Sequence, residues 1–187
     1  MENQKTVYIN FFDGIDPTKV NKFIQFTTEV IKQHSPTELY FFIASNGGDV
    51  DSGFVLYNFL ISLQSKLTVT MHNTGTIDSI ANVIFVGGQN RFAAPNASFL
   101  FHGVSMNLQG GCSRTILKES LSRLEGMENR IAHTVSKHSK LTEAELTNLF
   151  LQGEGKDVKF ALDKEIIQEI KIPSVPQGEI HLAMTFI

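Results

Sequence analysis

The sequence predicts an α/β fold with a mostly parallel sheet, on three observations. Strand-like and helix-like stretches alternate along the chain with short connections, the order that gives parallel strands and crossover helices. Glu38 to Ala44 (ELYFFIA) is a short continuous apolar run, the pattern of a strand buried on both faces. Turn signals fall between the periodic stretches: Asp13-Gly14, Ser35-Pro36, Gly47-Gly48 and Gly87-Gly88.

Taken in order, Thr6 to Phe12 (TVYINFF) reads as a strand from its β-branched and aromatic content. Asp16-Pro17 opens a helix, with Asp as N-cap and Pro at the first helical position. Val20, Phe23, Ile24, Thr27, Val30 and Ile31 recur at helical spacing through Gln33. The strand Glu38–Ala44 follows, then a loop over 45–49 and a helix to about Leu63. A strand over 67–72 arrives at the stretch Thr74-Gly-Thr-Ile-Asp-Ser-Ile-Ala-Asn82, and a helix over 80–87 leaves it. Short strands are expected at 91–93 and 98–101, around Pro95-Asn96. A glycine-rich run, 106–111, precedes a long helix from Ser113 to about His138, with an apolar stripe of Ile116/Leu117, Leu121, Leu124, Met127, Ile131 and Val135. At roughly 37 Å it is longer than a small core can cover, so part of it is expected to pack on another subunit. Thr142 and Glu145 form a capping box for a helix through about Leu149. Gly153-Glu-Gly155 turns the chain, Asp157 caps a helix over 159–170, and the tail holds a last strand over 180–185.

Composition bounds the function. At 187 residues the chain is expected to be one domain, residues 1–187, with an ample core. Net charge is −3, and no basic block argues for nucleic acid. The one cysteine, Cys112, excludes an intramolecular disulfide and a multi-Cys zinc site, and it fits a reducing compartment. The N-terminus carries no apolar signal core, and no apolar run reaches a membrane span of ~18 residues. The expectation is a soluble, cytoplasmic protein with no metal, no cofactor, no membrane and no nucleic acid among its partners.

Three features can combine into chemistry. Ser79 follows a strand and precedes a buried helix, a place where a hydroxyl is exposed on a fixed backbone. The helix N-terminus behind it offers unpaired N–H groups for a developing oxyanion, that of Ile80 among them. Ser79 is equally placed to be a simple N-cap. Gly47 and Gly48 end a buried strand. Glycine there lets the backbone approach a bound group and either offer an N–H or line a groove for an extended peptide. The plain alternative is a βα turn. His102, directly after an apolar strand, is within reach of acting as a general base, or is a hydrogen-bonded half-buried histidine. His72 is the runner-up base.

The order IASNGGDVDSG, then TGTIDSIAN, then NRFAAPNASFLFHG resembles the proteolytic subunit of the Clp protease, a serine peptidase family of the crotonase-like superfamily. The resemblance runs from about Thr6 to Ile170, and the Arg91–His102 segment is its most specific piece. It implies a crotonase-like ββα spiral with a mostly parallel sheet and a protruding long handle helix (handle about 104–139, C-terminal extension 171–187). It implies Ser79 as nucleophile, His102 as base, and Gly48 and Ile80 N–H as the oxyanion donors, with Gly47 and Gly48 along the substrate groove. It further implies a homo-oligomeric ring, possibly stacked as a double ring, acting on peptides or unfolded chains.

The departures matter too. Asn46 stands where the family has Pro, and Asp78 and Ala81 replace Ala and Gly beside the nucleophile. The family's triad Asp aligns with Leu149, and no Asp or Glu lies between Thr147 and Gly153. The neighbouring Asn148 can accept from His102 and hold its tautomer, but it cannot stabilise an imidazolium by charge. Five residues precede the first strand, where the family carries the loops that engage an ATPase, so docking to an unfoldase is not expected. The leading expectation is a self-compartmentalising serine endopeptidase. The alternatives are a catalytically weak or inactive ring-former with a scaffolding role, and an acyl-CoA enzyme of the wider superfamily.

Overall fold

The computed structural model describes residues 5–108, 110–111 and 113–184. Cys112, Gln109 of the glycine-rich run and Thr185 of the expected last strand lie outside the described residues. The elements run β1 (Thr6–Phe12), α1 (Pro17–His34), β2 (Glu38–Ser45), α2 (Val50–Leu63), β3 (Thr68–Asp78), α3 (Ala81–Val86), β4 (Asn90–Ala93) and β5 (Ser98–Leu100). They continue with α4 (Arg114–Ser136), α5 (Glu143–Gln152), β6 (Gly155–Asp157), α6 (Val158–Asp163), β7 (Glu169–Ile170) and β8 (Ile180–Ala183). The expected α/β architecture is present. Every strand pairing among the described residues is parallel except β5 with β6.

Local chemistry sets the helix starts. Asp16 accepts from the Lys19 N–H with Pro17 at the first helical position, Asp49 accepts from Ser52, and Thr142 and Glu145 close a reciprocal capping box. Each removes an orphan donor at a helix start. The core lies where α1, α2 and α3 meet the sheet. Val7, Ile9, Leu39, Leu56, Leu60, Val69, Ile77 and Phe85 are wholly buried there.

The sheet runs β6-β5-β3-β2-β1-β8, with β4 also on β3 and β7 on β4. It therefore forks at β3. Residues Thr70–Asn73 pair with β4, and Thr76–Asp78 pair with β5. Asn73 sits at the fork, fully buried. Its carbonyl accepts from the Ala94 N–H. Its side chain donates to the Ser98 carbonyl at 2.8 Å and accepts from the Gly75 N–H at 3.0 Å. One residue so reaches both branches, its carbonyl the β4 side and its side chain the β5 side. This corrects the strand expected over 67–72, which continues six residues further, to the edge of Ser79.

Two other expectations change. The helix expected over 159–170 stops at Asp163, and Glu165 turns left-handed (φ 55°). Ile166 and Ile167 after the turn are both buried. Arg91 fixes the turn, donating to the carbonyls of Ile166 (2.7 Å), Gly88 (2.9 Å), His138 (2.8 Å) and Glu165 (3.2 Å). Strand β6 was not expected, since Gly155-Lys-Asp157 carries no β-pattern. It forms because β5 offers an open edge.

α4 spans 23 residues, about 34 Å. Its C-terminal part buries Ile131, Ala132 and Val135, while Ile116, Leu117 and Leu121 near its start stay 42–57% exposed. Among the described residues no helix is long and apolar enough to cross a membrane.

Candidate active site

Three neighbouring parallel strands, β2, β3 and β5, end side by side, with Ser45 opposite Ile77 and Asp78 opposite Leu100. Their carboxyl ends deliver Gly47-Gly48, Ser79 and His102. This is the edge where open α/β sheets hold ligands. Ser79, His102 and Gly48 line one pocket of about 340 Å³ with Asn46, Asp49, Val50, Val104, Ser105, Met106 and Met127.

Ser79 is not a helix cap. The capping position of α3 is Ile80, with no side-chain cap bond. Ser79 instead adopts φ 56°, a left-handed conformation that costs an L-residue roughly 1–2 kcal/mol and persists where its surroundings over-determine it. Its surroundings do so. The Ser79 N–H donates to the Leu100 carbonyl at 2.9 Å. Asn82, buried in α3, directs its amide nitrogen at the carbonyls of Ser79 (3.1 Å), Leu100 (2.9 Å) and Ile77 (3.3 Å). Asn82 thus ties the ends of β3 and β5 to the first turn of α3. Sequence reasoning missed its role, although a polar residue inside an otherwise apolar helical run was a usable signal.

Gly47 and Gly48 are required by space as well as conformation. Gly47 has φ 83°, and a Cβ there would lie 2.7 Å from the Ser79 Cβ. Gly48 has φ 148°, and a Cβ there would lie 2.1 Å from the Ile15 carbonyl oxygen. The loop is clamped to the segment after β1 by Ile15 N–H to Gly47 O and Asp49 N–H to Ile15 O, both 2.8 Å. These bonds skip the Gly48 N–H. Among the described residues neither that N–H nor the Ile80 N–H donates to any protein acceptor. Two backbone donors near Ser79 are therefore without protein acceptors among the described residues.

His102 is half-buried, and its Nδ1 lies 2.8 Å from the Gly103 carbonyl oxygen. A carbonyl only accepts, so Nδ1 carries the hydrogen and Nε2 is the free acceptor of the neutral ring. No hydrogen bond joins His102 to Ser79 among the described residues. Asn148 is not brought to this histidine. It is exposed on α5 and lines a separate pocket with Glu145, Gln152 and Lys164. The α5 residue that touches the His102 segment is Phe150, whose carbonyl accepts from the Gly103 N–H at 3.1 Å. Asp78 does not turn to the histidine either. It accepts from Thr76 on its own strand, as two residues on one face of a strand can do.

His72 is occupied elsewhere. It is fully buried, its Nδ1 meets the Tyr40 hydroxyl at 2.8 Å and its Nε2 meets the Lys171 carbonyl at 3.0 Å. Burial pushes its imidazole down to about 4. The Lys171 carbonyl partly opposes this and the Lys171 charge adds to it.

The chain is also similar to known proteins. A proteolytic subunit 2 of the ATP-dependent Clp protease from Pseudomonas aeruginosa is 26% identical over 167 residues, 86% of this chain and 82% of that one. The protein of the same name from Borreliella burgdorferi is 33% identical over 66 residues, 34% of this chain and 32% of that one. An ATP-dependent Clp protease proteolytic subunit from Ostreococcus tauri is 26% identical over 121 residues, 63% and 60% of the two chains. A sequence model of the Clp protease family matches residues 4–170. With a mostly parallel, forked α/β sheet of the crotonase-like kind carrying that match, the chain belongs to the Clp protease family.

Proposed function

We propose that the protein is a serine endopeptidase that works inside an assembly of its own copies and cleaves peptides or unfolded chains. The observation that carries this is the left-handed Ser79 sharing a pocket with His102 between two N–H groups that have no protein acceptor. In this reading Ser79 Oγ attacks the scissile carbonyl carbon and its proton passes to His102 Nε2. The carbonyl oxygen becomes an oxyanion held by the Gly48 and Ile80 N–H groups. Collapse breaks the C–N bond, His102 returns the proton to the leaving amine, and water then releases the acyl group by the same steps. Gly47-Gly48 lines the groove where an extended peptide lies, and Val50, Val104, Met106 and Met127 favour an apolar side chain beside the bond that breaks.

Assembly is supported by the exposed apolar stripe Ile116, Leu117 and Leu121 at the start of α4, and by the word subunit in the names of the relatives. A second copy covering the stripe would remove it from water. The ring, and the stacking of two rings, belong to the same proposal.

The test is covalent labelling. A serine-directed peptidyl phosphonate is expected to add once per chain at Ser79, and Ser79→Ala is expected to abolish both labelling and turnover, by roughly 10³-fold or more. Label found elsewhere, or retained in Ser79→Ala, would remove the mechanism.

A further inference from the structure

We propose that Glu128 of α4 is the carboxylate that supports His102, acting through the Gly103–Val104 peptide group rather than by touching the ring. This rests on the peptidase reading, and it answers what that reading lacks, a charge behind the base. The geometry is continuous. His102 Nδ1–H donates to the Gly103 carbonyl at 2.8 Å. The Val104 N–H donates to Glu128 Oε1 at 2.9 Å. Gly103 C=O and Val104 N–H are the two ends of one trans peptide. Its dipole therefore points its negative end at the imidazole and its positive end at the carboxylate.

An anion accepting from the N–H end polarises the amide and makes its oxygen a stronger acceptor, as in other chains of hydrogen bonds. Two consequences follow for His102. The Nδ1–H tautomer is favoured, which leaves Nε2 as the base. The imidazolium formed when the ring takes the Ser79 proton is stabilised by a carboxylate at one remove. Glu128 is suited to this. It is half-buried, and among the described residues it enters no ion pair that would offset its charge. Gly103 is also where a side chain would collide with it, since a Cβ there would lie 2.8 Å from Glu128 Oε1. The arrangement further couples the pocket to α4, the helix whose start carries the exposed apolar stripe.

Glu128 is a positioning residue, so its test separates charge from shape. Glu128→Gln keeps an oxygen that accepts from Val104 and removes the charge. Glu128→Ala removes both. In the resting protein, 15N shifts of the His102 ring are expected to show the Nδ1–H tautomer in the wild type and a smaller share of it in Glu128→Gln. With a peptide substrate, kcat in Glu128→Gln is expected to fall roughly fivefold with KM unchanged, the size of a modest charge-assisted gain. Glu128→Ala is expected to lose more. A wild-type tautomer and wild-type kcat in Glu128→Gln would overturn the relay, as would a loss confined to KM. The ring shifts need no turnover. If Ser79 fails to take the phosphonate while the tautomer still responds to Glu128→Gln, the relay stands and the peptidase reading falls.

Discussion

His72 and His102 stand in opposite states of satisfaction. Both ring nitrogens of His72 are engaged inside the protein, by Tyr40 and by the Lys171 carbonyl, and rings of Tyr40, Phe42 and Phe92 surround it at 5.8–6.0 Å. At His102 one nitrogen is engaged and the other faces no protein partner among the described residues. The contrast extends to their surroundings. Around His72 the polar groups close on one another. Around Ser79 and His102, two N–H groups and one imidazole nitrogen are held rigidly and left open. Proximity to the serine in sequence would have chosen His72, seven residues before it. The free valence is why His102 is the proposed base.

The comparison can be broken most forcefully at Gly48. Gly48→Ala would drive a methyl into the Ile15 carbonyl at 2.1 Å and hold a disfavoured φ. The loop must move, so turnover is expected to fall by roughly 10²-fold or more, the cost of a lost oxyanion donor. Phosphonate labelling rate and the melting temperature together check this. Wild-type rates would show that the Gly48 N–H is not used.

His72 gives the next effect, and it concerns stability alone. Its folded pKa is lowered to about 4 from 6.5. The unfolded chain therefore binds the extra proton first as pH falls. The stability associated with the neutral ring is complete above about 6.5 and is lost between about 6.5 and 4, amounting to about 3 kcal/mol at most. His72→Gln, which donates and accepts without titrating, is expected to flatten this acid limb in urea melts recorded across that window. An unchanged acid limb would mean that other groups govern it.

The smallest effect is expected at Asn148. With its side chain exposed and lining another pocket, Asn148→Ala should leave kcat within about twofold of the wild type, since a surface change away from the reacting groups moves little. A large loss would return Asn148 to the histidine and weaken the case for Glu128.

Much of this was readable in the sequence because local rules and tertiary structure agree. Asp16-Pro17 and the Thr142–Glu145 box set helix starts by bonds within four residues. ELYFFIA read correctly as a strand because burial on both faces leaves no polar alternation. The misreadings fell where a distant residue decides. Asn73 and Gly75 look like the end of a strand, yet they build the fork because Ser98 supplies the second branch. Residues 159–170 have helical periodicity, and Arg91 claims the carbonyls of Glu165 and Ile166 that would have continued the helix. At the candidate site, spacing and resemblance pointed to Ser79, His102 and Gly48, which share one pocket. The bond from Val104 to Glu128 could not be foreseen, because it runs to a backbone group and carries no side-chain pattern.

Arg91 also has a bearing on the order in which the molecule is made. Its guanidinium is buried in the finished fold and takes acceptors 47, 74 and 75 residues further along the chain. A chain emerging from the ribosome cannot supply them until residue 166 has been added. Until then strand β4 would bury a cation short of oxygens, which burial strongly disfavours. The β4 arm of the fork thus waits on a segment 47 to 75 residues further along the chain. Contacts of such long sequence separation form late and slowly. A nascent chain would close this arm only after the segment carrying Glu165 and Ile166 has followed β4 out.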